Sequence, residues 1–133
     1  MPGSEANDFN IFVIALQNIP HANASMNYYK LRLDIHFNQA GRNVVLFQGD
    51  EGFVAEGSVA LLLYMKKDIQ SYVDTRSVVK CGVSLNEGKT EACLIKFKLD
   101  GTTICITNVN VKSSKWAESL KLLHIFDYDI LQT

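Results

Sequence analysis

Ala92–Asn108 reads ACLIKFKLDGTTICITN. Two β-rich runs, Ala92–Leu99 and Thr102–Asn108, flank the dipeptide Asp100-Gly101. A two-residue hairpin turn of type I′ needs positive φ at both central positions, and Asp-Gly meets that demand at low steric cost. The stretch is read as an antiparallel hairpin and commits the chain to a sheet. Cys93, Ile95 and Phe97 alternate with Lys96 and Lys98. Residues two apart on a strand share a face, so the apolar set points to a core and the lysines to solvent.

Working outward, other apolar runs read as strands. Asn10–Leu16 holds IFVIAL, with Pro20 fitting the exit from the sheet. Asn43–Gln48 holds NVVLFQ, Gly57–Lys66 holds SVALLLYM and Thr75–Gly82 holds RSVVKC. Gly49–Gly52 and Leu85–Thr90 carry turn residues. Lys115–Leu123 places Trp116, Leu120 and Leu123 at helical spacing, and the apolar tail His124–Thr133 should pack on something.

Ala24–Gln39 is open between two readings. Leu31, Leu33, Ile35 and Phe37 alternate with polar residues, which is a strand pattern. The length, Ser25 as an N-cap and Gly41 as a stop favour a helix. As a helix it carries two separate apolar stripes, Tyr28/Leu31/Ile35 and Tyr29/Leu33/Phe37.

The 133 residues suit one domain with a core: 47% are hydrophobic and 20% charged. A net charge of −1 supplies no broad positive field for nucleic acid. The longest apolar run, Val59–Met65, is too short to span a bilayer. The polar, acidic start, Met1–Asp8, is unlike a signal peptide, and a cytoplasmic location is expected. Cys81, Cys93 and Cys105 sit in apolar, β-branched surroundings and are expected to be reduced, buried thiols. They lack metal-ligand spacing, so neither a metal site nor a cofactor is expected. His21, His36 and His124 share no motif with a carboxylate.

Three segments in order resemble the endonuclease/exonuclease/phosphatase (DNase I-like) superfamily, and within it the inositol polyphosphate 5-phosphatases. They are Ile11–Pro20 (IFVIALQNIP), Ala60–Asp68 (ALLLYMKKD) and Gly88–Asn110 (GKTEACLIKFKLDGTTICITNVN). The first looks like the family's strand ending in Leu-Gln-Glu-Ile-Pro. The second is similar to its leucine-rich strand ending in a basic dipeptide. The third resembles its Gly-Asn-Lys-Gly turn, hairpin and Asn-Ser-His strand end. The runs read along the chain give a sheet of about five or six strands with one or two helices, and with the resemblance this becomes an α/β (or α+β) chain with a single mixed sheet. That is roughly half of a DNase I-like two-sheet sandwich, with residues 1–133 as one partial domain. It also tips Ala24–Gln39 towards helix.

Departures from the family's pattern imply lost chemistry. Asn18 stands where the resemblance places a Mg²⁺-ligating Glu, and an amide brings no charge to such a site. Asn110 stands where it places a catalytic His, and an amide does not exchange a proton near neutral pH. Glu91 sits in the turn expected to meet an anionic phosphate. The family's Trp-Asn-Val-Asn, Gly-Asp-Leu-Asn and His-Asp motifs have no counterpart here. The expected function is a catalytically inactive, self-associating interaction or scaffold module, not an enzyme. Its sheet face, lacking the second half of the sandwich, would be covered by a second copy or by the tail. One alternative is phosphoinositide or inositol phosphate binding without turnover, with Lys66, Lys67, Lys89 and Lys112 as the anion-binding set. Another is a fragment or divergent form of an active phosphatase.

Overall fold

The computed structural model describes residues 11–39, 43–47, 49–85, 87 and 89–112. Seven strands and one long helix follow in order: β1 (Ile11–Leu16), α1 (Ala22–Gln39), β2 (Val44–Leu46), β3 (Phe53–Glu56), β4 (Val59–Lys66), β5 (Val73–Leu85), β6 (Thr90–Leu99) and β7 (Thr102–Val111). Short 3-10 turns lie at Gly49–Gly52 and Ile69–Tyr72. The helix and tail expected beyond Lys115 lie outside the described residues.

The strands form two sheets, both antiparallel throughout. In the first, β4 is central, with β1 on one side and β2 and β3 on the other. In the second, the order is β5-β6-β7. The single mixed sheet expected from the sequence is corrected on both counts. The physical reason lies in β4: Val59 to Met65 are all buried, because both of its faces are covered. Val59, Leu61, Leu63 and Met65 meet Cys93, Ile95 and Phe97 of β6, with Phe47 and Val73, in an inter-sheet core. Ala60, Leu62 and Tyr64 face the other way, into a second core under α1. The sheet face expected to be bare is thus covered largely by the chain's own second sheet.

The Asp100-Gly101 hairpin forms as read. Both turn residues have positive φ, +49° and +82°, and Leu99 pairs with Thr102. β3 goes unforeseen because four residues are too few to display a period.

Ala22–Gln39 is helical despite its alternation. Ala22, Met26 and Phe37 are buried, and Tyr29 and Leu33 pack with them on the first sheet. That stripe follows the i, i+3/i+4 rule and wins over the period-two pattern. Phe37 lies 5.1 Å from Phe12 and 4.9 Å from Tyr64, centroid to centroid. Tyr64 reaches past it to donate a hydrogen bond to Asp34 Oδ1 at 3.0 Å. Burial, then that carboxylate, pushes the Tyr64 hydroxyl far above its ordinary range. Ser25 is no N-cap. It lies in the first turn, its hydroxyl donating to Pro20 O at 3.2 Å.

The cysteines divide. Cys93 is buried, Cys81 half-buried and Cys105 exposed, which corrects the expectation of three buried thiols. Cys105 pairs with Lys96, one position off the core-facing set, so it faces away from the first sheet.

Candidate functional site

The richest polar cluster forms where β1 ends, β4 begins and β6 and β7 form their open end. Leu16 pairs with Ala60 at the end of β1. Across the sandwich, Glu91 pairs with Asn110 and Thr90 with Val111. The antiparallel registers therefore bring residues from four strands to one end.

Three linked groups occupy it. Gln17 Nε2 donates to Asn108 Oδ1 and to Val109 O, both at 2.8 Å. Asn108 is buried, and its Nδ2 donates to Leu16 O at 3.0 Å and Ala60 O at 2.9 Å. One amide so ties β7 to both β1 and β4. Beside it, Asn110 Nδ2 donates to Asn18 Oδ1 at 3.0 Å. Asn18 has φ +58°, a conformation that Asn tolerates better than most residues. The two positions singled out in the sequence are thus in direct contact.

The third group centres on Glu91, which is 6% exposed. Its carboxylate accepts from the Ser58 amide at 3.0 Å and the Ser58 hydroxyl at 2.6 Å. Lys112 Nζ donates to the same carboxylate and to Ser58 Oγ, both at 2.9 Å. Burial alone would push the Glu91 carboxyl up. The bonds from Lys112 and from the Ser58 hydroxyl and amide outweigh it and hold the group below its ordinary value. Glu91 is therefore a compensated buried anion rather than a bare charge in an open turn.

The four lysines do not form one patch. Lys89 and Lys112 adjoin at the polar end, where the Lys112 amide donates to Lys89 O at 2.6 Å. Lys66 and Lys67 lie at the far end of β4, roughly 25 Å away at the rise of a strand. Gln17, Ser58 and Asn108 were not singled out from the sequence. The alternation Asn108-Val109-Asn110 was the available signal, since two amides two apart must share a face. Among the described residues, no group of three or more His, Cys, Asp or Glu could hold a metal ion. No described helix is long and apolar enough to cross a membrane.

No family model matches the chain, and no curated protein matches it. Solved structures of Cimex nitrophorin are similar: the ferrous NO complex and two single-substitution variants of that complex. Each has a TM-score of 0.58 at 9% identity, over 81% of this chain and 38% of the nitrophorin chain. The chain thus spans under two fifths of the length of these structures. At such identity the likeness concerns fold alone. The identification as a 5-phosphatase relative, drawn from three sequence segments, is corrected accordingly: the matching structures are nitrophorins, and no phosphatase is among the matches found.

Proposed function

We propose that this chain is a non-catalytic protein-interaction module. One observation carries the reading: the polar side chains gathered at the strand ends are bonded to one another. Gln17 is spent on Asn108 and Val109, Asn18 on Asn110, and Glu91 on Ser58 and Lys112. A general base must reach a substrate proton within hydrogen-bond distance. Glu91, the carboxylate of this cluster among the described residues, is buried and held by an ammonium, with its proton affinity lowered. Such a group holds strands together better than it performs acid–base chemistry.

Two assays on the purified chain test this. Phosphate release from soluble and lipid inositol polyphosphates, with and without Mg²⁺, should stay at background. Turnover that survives repurification and scales with protein would overturn the proposal. Co-sedimentation with vesicles containing phosphoinositides should show no more binding than with neutral vesicles. Selective sedimentation would replace it with headgroup binding.

A further inference from the structure

The two lateral sides of the sandwich are built differently. On one side run β2, β3 and β5. β2 and β3 are only three and four residues long. β5 carries Asp74, Arg76 and Lys80, and its register shifts between Asp74 and Val79. Lys80 Nζ donates across to Phe53 O at 3.3 Å, bridging the sheets. Short strands, charges and bulges are the usual devices that stop a sheet edge from pairing with another chain.

The opposite side has none of these. Its edges are β1, IFVIAL, and β7, TTICITNVNV. Neither strand contains a charged residue, a proline or a glycine. Among the described residues, β1 pairs only with β4, and β7 only with β6. The bonds from Gln17 to Asn108 and Val109 place the two edges side by side. The inter-sheet core also opens here. Val13 pairs with Leu63 and Ala15 with Leu61, so both point to the inner face, yet both are exposed, Val13 by 42%. Opposite them, Ile104 and Ile106 are only half-buried.

We infer that the β1/β7 side is a self-association interface, at which a second copy of this chain continues both sheets. This rests on the interaction reading above and names its partner. A two-fold axis normal to the sheets would set β1 antiparallel to its twin and β7 antiparallel to its twin. The inner residues Val13, Ala15, Ile104 and Ile106 would then close against their copies. An isologous contact needs only one self-complementary patch, and two uncharged edges meet without like-charge repulsion. Main-chain pairing supplies affinity, as when any strand adds to an open edge.

Sedimentation equilibrium on the intact chain across the micromolar range tests the inference. Twice the chain mass of 14.9 kDa is expected, falling reversibly on dilution. Hydrogen exchange at high and low concentration should show dilution releasing amides of Ile11–Leu16 and Thr102–Val111, but not those of Val73–Leu85. Val13→Lys and Ala15→Lys, each at an exposed position, should give monomers with unchanged circular dichroism. Should one variant fail to fold, the other and the exchange pattern decide. Monomer mass throughout overturns the inference. So does a dimer indifferent to both substitutions, or one whose dilution-sensitive amides lie in Ala22–Gln39, where Tyr28, Leu31 and Ile35 are exposed. A monomer without turnover would overturn the dimer while leaving the non-catalytic reading intact.

Discussion

Lys112 Nζ stands 2.9 Å from Glu91 Oε1, fastening the end of β7 to a carboxylate on β6 that itself grips Ser58 at the start of β4. Three strands from two sheets meet at one buried charge. The Glu91 carboxyl is held below the ordinary value of 4.5, so the native state favours its ionised form. Such a group contributes stability that is full above the unfolded value and lost as pH falls through the lower folded value. Urea midpoints of wild type and Glu91→Gln should differ by a constant amount at neutral pH. That difference should shrink below about pH 4.5. Lys112→Met should raise the carboxyl's proton affinity towards its unfolded value and so shrink the stability that this group loses on acidification. A wild-type/Gln difference that is flat to low pH would contradict this.

Gly57 has φ +58°, and a methyl group there would collide with the Glu91 carboxylate. Gly57→Ala should therefore cost about 2 kcal/mol or more, combining backbone strain with displacement of a buried anion. Chemical denaturation measures it. The same change in Glu91→Ala should cost less, because the collision is gone, and equal losses in both backgrounds would place the strain elsewhere.

Thiol labelling should proceed in the order Cys105, Cys81, Cys93. Cys105 is exposed. The Cys81 thiol is raised by burial and then by Glu56, and Cys93 is pushed up to about 12 by burial and then by Glu56. Since the thiolate is the nucleophile, Cys93 should react only on unfolding. Fast native labelling of Cys93 would show that the inter-sheet core is open at β6.

The sequence made the local features legible and left the non-local ones hidden. Asp100-Gly101 announced its hairpin because both of its unusual φ values are encoded in two adjacent residues. VALLLYM was legible as a strand, and the structure buries it on both faces. It could not say that one face meets a helix and the other a second sheet, since that depends on partners at Met26 and Ile95. α1 stayed ambiguous because its two apolar stripes mimic alternation, and only packing selects one. At the polar end, Asn18 and Asn110 were legible as positions but not as a pair. The grip of Glu91 on Ser58, 33 residues away, has no local signature, which is why Glu91 read as a negative charge in a turn expected to meet phosphate.

If this polar end is a clamp that holds the sandwich together, removing its bonds must destabilise the fold. Functional polar clusters commonly cost stability, so their removal often stabilises the fold. A structural clamp does the reverse. The direct measurement is a double-mutant cycle on Gln17→Ala and Asn108→Ala, read by urea denaturation. Asn108→Ala leaves the Leu16 and Ala60 carbonyls without their donor and should cost about 2–3 kcal/mol. The two changes should be non-additive by about 0.5 kcal/mol or more, as for residues in one hydrogen-bonded network. Additive effects, or a gain in stability from either substitution, would contradict the account.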